Sequence, residues 1–546
     1  MKLQKYILPA VCLLLLSLSS CYEDKGNYDY HDLEEVLIDT TGAGLQPEYA
    51  IMRYDRLHLA PNVLYGGLPV TDDMPVPLDY QWTIFSATSG VGANTEIDTI
   101  GHERVLDTEI TRTGGLYYVQ LVVTNRGDGI RQFYRTKVAV SEVFDGGWMV
   151  FYERADMPGY SDLALIYNDW VKSNIKYNRS YSNLYSGTNG APIPGRPVRC
   201  LDIAVSLTSG NNYIGLCTDK TLVGVSENGI ERALAFKDFF YSPPGNEMPI
   251  WYGQHGSGVM SGRSSEVFIN GKDVYTNTYS FSATEGRTTK FGVEKSVQDG
   301  DLPIGELAAW NAEVPNVSNY GVIVYDQTNQ CFRYAGYNDK NLKRFAAQDP
   351  SAAFDVNNTG MRLLMGDWGK GTSQAAALMP YDFLIMKKDG QYYLAKANFS
   401  STAPTDSYIG IGLYNMSLKC PDIASVTTMA ASHSGYYIYY GAKNKVYCYS
   451  YENNRIASTV WTAPDENEEV TCVRIMKYYH GTIYGYGIVP NSDNLVHIAT
   501  WNEATQEGHL YQYKINSASG ALTKAKYYDY VIPGKVKDMA WKFSMQ

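Results

Sequence analysis

The sequence predicts an all-β protein, with a β-sandwich over residues 34–143 followed by a β-propeller of seven or eight blades over 144–546. Three observations carry this. Apolar segments after residue 33 are short, alternate with polar residues and are rich in Tyr, Val and Ile. Gly, Asn and Asp punctuate them at tight-turn positions, as in Asn270-Gly271 and Asp389-Gly390. Helical periodicity is nearly absent, so the many strand edges need a closed arrangement to hide them. A pair of stacked sandwiches is the alternative architecture.

The chain opens with Lys2 and Lys5 ahead of an apolar run, Ile7 to Leu18, broken only by Pro9 and Ser17. That run is too short to span a bilayer and has the anatomy of a secretory signal, residues 1–20. It stops at Leu18-Ser19-Ser20-Cys21, a branched apolar residue and two small ones before a cysteine. This is what a bacterial lipoprotein signal peptidase accepts, and it predicts lipidation of Cys21. Acyl chains contribute about 0.8 kcal/mol per buried CH2, and two or more chains give stable anchoring. No later apolar run approaches membrane-span length, so the lipid is the expected anchor. Residues 21–33 read as a flexible tether.

Between Glu35 and Ser141 the strand candidates are EVLID, RLHLAP, DYQWTIFS, YYVQLVVTN and FYRTKVAVS. Trp82 is expected between the sheets. Gly115-Leu116-Tyr117-Tyr118-Val119 and the LVVTN that follows resemble the G-x-Y-x-V-x-L-x-V-x-D strand of PKD and other Ig-like domains, with Tyr118 expected as a core or corner residue. From Asp145-Gly146-Gly147-Trp148 the pattern becomes strand, tight turn, strand. Examples are TLVGVSENGIERALAF, EVFINGKDVYTNTY, FLIMKKDGQYYLAKANF and HLYQYKINSASGALTKA. These units recur every forty to seventy residues or so, near the spacing of propeller blades. The last strand, Lys535 to Trp541, is expected to complete a blade begun near Trp148. Asn270-Gly271 and Asp389-Gly390 are expected to form type I′ turns, whose central residues both need positive φ.

Several stretches together resemble the PKD-like family lipoproteins of Bacteroidota. They are Cys21-Tyr22-Glu23-Asp24-Lys25-Gly26-Asn27-Tyr28-Asp29-Tyr30, the YQW and GLYYVQLVV strands, Gly147 to Glu153, and Ile193-Pro194-Gly195-Arg196-Pro197. Tyr22-Glu23-Asp24-Lys25 is similar to the acidic surface-export signal of such lipoproteins and implies an outer-membrane protein facing the extracellular side. The resemblance implies an accessory lipoprotein of a nutrient-uptake locus, beside a SusC-like TonB-dependent transporter and a SusD-like lipoprotein. It brings no catalytic residues. Asp39-Thr40-Thr41 and Asp98-Thr99-Ile100 match the Bacteroidota O-glycosylation sequon and nominate Thr40 and Thr99.

With a net charge of -11 and a pI near 5.3, nucleic acid and an anionic membrane surface are poor partners. The 47 tyrosines suit strands first, where the ring packs and the hydroxyl meets water, and sugar, peptide or aromatic ligands second. Cys12 and Cys21 belong to the signal and anchor. Cys200, Cys217, Cys331, Cys420, Cys448 and Cys472 form no CxxC or Cys/His cluster, so neither a structural zinc site nor another cofactor is expected. Cys200 and Cys217 lie on runs split by SGNN and could face each other across a hairpin.

No HExxH, GxSxG or GxxxxGK[ST] motif is present, so no catalytic residue is nominated. Two stretches are candidate ligand sites. Gly366-Asp367-Trp368-Gly369-Lys370-Gly371-Thr372 offers a flat ring, Trp368, between polar handles, Asp367 and Lys370. In Pro243 to Gly256, prolines stiffen a loop bearing Trp251, Tyr252 and His255, and stiff aromatic loops lose little entropy on binding. The alternatives are a sharp inter-strand loop and an insertion packed over a sheet edge. His433, His480, His497 and His509 are singletons. The expected function is a binding or accessory lipoprotein of an uptake system, taking a glycan, peptide or metal chelate. The alternatives are a surface enzyme (glycosidase, lyase or peptidase) on the propeller, and an adhesin or scaffold.

Overall fold

The computed structural model describes residues 34–41, 45–87, 96–141, 146–172, 178–203, 213–227, 229–255, 263–280, 289–310, 320–374, 377–400, 402–453, 455–477, 491 and 493–542. The signal, Cys21, the tether and His480 lie outside them. The protein is all-β and divides into two units, Met1–Ser141 and Glu142–Gln546.

In the first unit a five-stranded sheet runs Glu48–Met52, Arg131–Ser141, Gly115–Asn125, Leu78–Ser86, Asp98–Gly101. Val36–Asp39, Asn62–Tyr65 and Leu68–Pro69 form a second sheet, and Arg56–Leu59 pairs with Leu106–Glu109. Ile38, Leu57, Leu59 and Val63 share one core with Trp82, Val119, Leu121, Val123 and Val138. Trp82 is fully buried, and its Nε1 donates to Glu103 O at 2.9 Å. The corner role belongs to Tyr117 and not to Tyr118. Along Gly115–Asn125 the buried positions are Tyr117, Val119, Leu121, Val123 and Asn125. The Tyr117 hydroxyl donates to Thr113 O at 2.8 Å. Tyr118, one residue on, takes the opposite face, because side chains alternate across a strand. There it meets Phe85 at 5.8 Å and lies under the Arg135 guanidinium at 5.2 Å.

Among the described residues the second unit contains seven antiparallel sheets in chain order, and a short parallel pair, Ser296–Val297 with Asn341–Leu342. The second sheet begins with Pro197–Ile203, the third with Pro249–His255, the fourth with Leu307–Ala308, the fifth with Arg362–Gln374, the sixth with Val426–Ala431 and the seventh with Glu468–Ile475. The first sheet is assembled from both ends of the unit: Arg179–Tyr181, Tyr160–Tyr167, Gly147–Arg154 and then Gly534–Lys542. Trp148 pairs with Trp541 and Val150 with Met539. The approach is close enough to require glycine at its start: a Cβ on Gly534 would lie 2.0 Å from Glu153 O and 2.6 Å from Tyr152 Cδ2.

Each sheet packs on the next. Tyr213 and Cys217 of the second meet Tyr252 and Phe268 of the third. Trp251 and Val267 meet Val322 and Val324 of the fourth. Tyr325 and Phe332 meet Leu384 and Met386 of the fifth. Phe383 and Ile385 meet Ile438 and Tyr440 of the sixth, and Tyr439 and Val446 meet Val473 and Ile498 of the seventh. Cys472, Ala499 and Leu510 of the seventh then pack on Trp148, Val150 and Met539 of the first. The first and second sheets are joined by Asp538, whose Oδ2 accepts from Cys200 N at 3.0 Å. Ile193-Pro194-Gly195-Arg196-Pro197 forms the corner between them. Gly195 there has φ +98°, and Thr218 Oγ1 donates to Pro194 O at 2.7 Å.

Stacking on both faces explains the unbroken burial of Leu495–Asn502 and nearly all of Tyr160–Tyr167. It also explains many tyrosines. Tyr439 and Tyr440 are wholly buried, with hydroxyls donating to Gly520 O and Pro421 O at 2.7 Å each.

Two local expectations need correction. Asp389 and Gly390 both have positive φ, as a type I′ turn requires, but at Asn270-Gly271 only Gly271 does. Asn270 is a strand residue paired with Asp273, and its amide bonds Met248 N and Asn246 O. The two-residue loop is therefore Gly271-Lys272, with glycine at its first central position. Cys200 pairs with Leu216 and Cys217 with Arg199, so the two thiols sit one register apart on opposite faces. All six cysteines among the described residues are buried thiols.

The contact of the seventh sheet with the first contains an acid-sensitive group. His497 is fully buried and stacks on Trp148 at 3.6 Å, with rings 7° from parallel. Its Nδ1 lies 3.1 Å from Gln512 Nε2. Burial pushes its pKa well below 6.5. Below pH 6.5 the unfolded chain binds a proton that the folded chain refuses, so this group makes stability fall as pH falls, by up to about 1.4 kcal/mol per pH unit. Urea unfolding between pH 7 and pH 5 should show the midpoint dropping in the wild type and dropping less in His497→Leu. Equal acid slopes would contradict this.

Candidate ligand site

Three first strands bring the Asp367-Trp368-Lys370 stretch together with residues distant in sequence. Asp367 and Trp368 are buried in Arg362–Gln374 of the fifth sheet. The sixth sheet's first strand ends at Ala431 and turns through Ser432, His433 and Ser434. Lys477 follows the end of the seventh sheet's first strand at Ile475. Asp367 Oδ2 accepts from Ala431 N at 2.9 Å and from Lys477 Nζ at 2.5 Å. Lys477 Nζ also donates to Trp368 O at 2.5 Å and lies 4.4 Å above the Trp368 ring. That ring meets His433 edge-on at 5.2 Å. Asp493 closes the group, accepting from His433 N at 2.8 Å and from Ser434 N. Lys370 Nζ donates to Ser434 O at 2.9 Å and sits 4.3 Å over Tyr436.

Burial lowers the Lys477 pKa, and the Asp367 carboxylate against it opposes the shift. Burial also lowers the His433 pKa. Asp493 opposes that shift, while Lys477 and Lys370 reinforce it, so His433 is neutral near pH 7. The charge line continues across the first strands. Asp538 Oδ1 accepts from Arg474 Nη2 at 2.7 Å and from Arg199 Nη1 at 3.4 Å. Arg199, Arg474 and Lys477 thus stand against Asp367, Asp538 and Asp493, three cations against three carboxylates. Asp367 and Asp538 are held by cations and backbone amides, an arrangement suited to fixing strands and setting a field.

The Trp368 face is therefore covered by Lys477, and Asp367 is engaged in a buried ion pair. Lys370 and the exposed Tyr436 are the parts of this cluster that reach outward. The second candidate stretch is dispersed. Trp251 lies in the core between the third and fourth sheets. Tyr252 lies between the second and third, with its hydroxyl donating to Glu266 Oε1 at 2.9 Å. The His255 backbone ends that strand, and its side chain lies outside the described residues. Thr40 and Thr99 are both exposed, and Thr99 Oγ1 accepts from Gln81 Nε2 at 3.4 Å. Sequence reasoning missed Lys477 and Asp493. No local motif marks them, since Lys477 is 110 residues from Asp367.

Lys477→Ala should destabilise the protein by about 3–5 kcal/mol, because it leaves a buried carboxylate without its cation. The double variant Asp367→Asn with Lys477→Met should recover most of that loss. Chemical denaturation measures both; a Lys477→Ala cost within about 0.5 kcal/mol of zero would refute the pair's structural weight.

No curated protein matches the chain. Among solved structures, the chain is similar to a quinoprotein alcohol dehydrogenase-like protein from Bacteroides thetaiotaomicron, at 11% identity and TM-score 0.35, over 92% of this chain and 98% of that one. It is similar to Saccharomyces cerevisiae Sqt1, at 11% identity and TM-score 0.36, over 71% and 84%. It is also similar to Kluyveromyces lactis Hsv2, at 9% identity and TM-score 0.34, over 73% and 100%. These likenesses do not extend to activity. Residues 21–197 match the model of the PKD-like family, a span running from the predicted lipidation cysteine through the corner at Pro197.

Proposed function

We propose that the chain is a lipid-anchored outer-membrane protein facing the extracellular side, in which a PKD-like sandwich carries a seven-bladed β-propeller. It serves as a binding or accessory component of a TonB-linked nutrient-uptake system. The observation that carries this reading is the junction at Cys21. An apolar run ends there in Leu18-Ser19-Ser20-Cys21, an acidic stretch follows at once, and the match to the PKD-like family begins at the same residue. The propeller is supported by the cyclic order of packing and by the chain's last strand completing the first sheet, on which the seventh sheet packs. A binding role is supported only by the outward part of the cluster at the strand ends, Lys370 over the exposed Tyr436.

Purification of the tagged protein from detergent-solubilised outer membranes of its host tests this. The expected result is a stoichiometric SusC-like transporter or SusD-like lipoprotein in the eluate. The Cys21→Ala variant should lose membrane association. Recovery of the protein alone after gentle crosslinking, or unchanged membrane association of Cys21→Ala, would overturn the reading.

A further inference from the structure

A cleft of about 630 Å³ opens between the first and second sheets, away from the cluster at the strand ends. Its volume falls in the range of small-molecule sites, about 300–1,000 Å³. Tyr185 and Phe236 form its apolar floor, and Lys220, Arg232, Lys237 and Glu247 stand around it. The three cations are exposed, and none is paired with a carboxylate among the described residues. The neighbouring acids are committed elsewhere. Asp219 accepts from Arg196 N at 2.9 Å, Glu231 from the Ser226 hydroxyl at 2.5 Å, and Asp238 from Ala235 N at 2.9 Å. Among the described lining residues Glu247 is the acid.

The cleft is also braced. Asn189 Oδ1 accepts from Arg232 N at 2.8 Å, while its Nδ2 donates to Ile230 O and Tyr185 O at 2.9 Å each. Ile230 is buried with φ +61°, a left-handed conformation unfavourable for a β-branched side chain. The turn that presents Arg232 is therefore held in a strained form by a side chain from the opposite wall. The Arg232 guanidinium also stands beside the Tyr185 hydroxyl and offsets part of the rise that burial imposes on its pKa.

We propose that this cleft binds a small ligand bearing two or more carboxylate or sulfate groups, either an acidic saccharide or a free polycarboxylate. Ammonium and guanidinium donors around an apolar floor match anionic oxygens on a compact scaffold, and charge-assisted bonds of this kind are the strong ones. In a chain of net charge -11, a cationic cleft also draws anions to itself selectively. The proposal stands independently of the lipid anchor and of the uptake partners.

Isothermal titration of the purified full-length protein tests it, with citrate and a sulfated chondroitin disaccharide as probes at about 50 mM salt. The expected result is one saturable site for at least one probe. Affinity should fall about tenfold in Lys237→Ser and at least as much in Arg232→Ser, with no change in the exposed control Lys524→Ser. Saturation by the disaccharide alone assigns the cleft to acidic saccharides, and by citrate alone to free polycarboxylates. No saturation by either probe up to about 10 mM, or equal affinity in wild type, Lys220→Ser and Lys237→Ser, would overturn the proposal. Because Lys220 and Lys237 are exposed and make no ion pair among the described residues, their variants test binding even if Arg232→Ser alters the fold.

Discussion

The second unit depends on one pairing: Gly147–Arg154 against Gly534–Lys542. A series of sheets stacked face against face buries every face except the two at its ends. Here the last strand of the chain is the edge strand of the first sheet, so the seventh sheet meets the first and the end faces cover each other. Trp148 sits at the junction twice over. It pairs with Trp541 in the backbone ladder and stacks on His497 of the seventh sheet. The geometry leaves little room for substitution, as Gly534 shows by lying against Glu153 O. Asp538, on the same closing strand, collects Arg199 from the second sheet and Arg474 from the seventh, so the strand that completes the hydrogen bonding also neutralises the charges beside it.

This constraint accounts for much of the composition. A strand buried on both faces needs large side chains without unmet polar groups in the middle of the stack, and tyrosine meets that need when its hydroxyl reaches a carbonyl at the sheet margin. Tyr439 and Tyr440 do this with backbone carbonyls and Tyr152 with the side-chain oxygen of Asn183, so these rings serve inter-sheet packing and not a ligand surface. The same logic places Trp251 and Tyr252 inside. Their loop-like prolines precede a strand, and the strand's alternation sends one ring to each neighbouring sheet.

Legibility in the sequence followed the range of the interaction. The hairpin at Asp389-Gly390 was readable because its signal is two adjacent residues with positive φ. The strand ending in Trp541 could be matched to Trp148 because an all-strand chain needs closure. One-residue questions were not readable: Tyr117 against Tyr118, Asn270 against Gly271 as the turn position, Cys200 against Cys217. Each turns on register, which the partner strand fixes. Apart from that closure, side-chain interactions between distant segments left no trace. Nothing near Asp367 announces Lys477, and nothing near Lys220 announces Asn189 or Arg232. The candidate stretch at Asp367-Trp368-Lys370 did mark a charged junction of three sheets, but its ring is covered and its acid engaged. The cationic cleft lies elsewhere, on residues no motif singles out.

The claim on which this account rests is that the last strand holds the second unit together as one cooperative body. The direct measurement is hydrogen exchange of the full chain beside a chain ending at Pro533. The account predicts that the shortened chain loses amide protection throughout the second unit, in the third to fifth sheets as well as in the first and seventh, while Met1–Ser141 keeps its own. Loss confined to Gly147–Arg154 and its immediate neighbours, with protection of the other sheets unchanged, would contradict it.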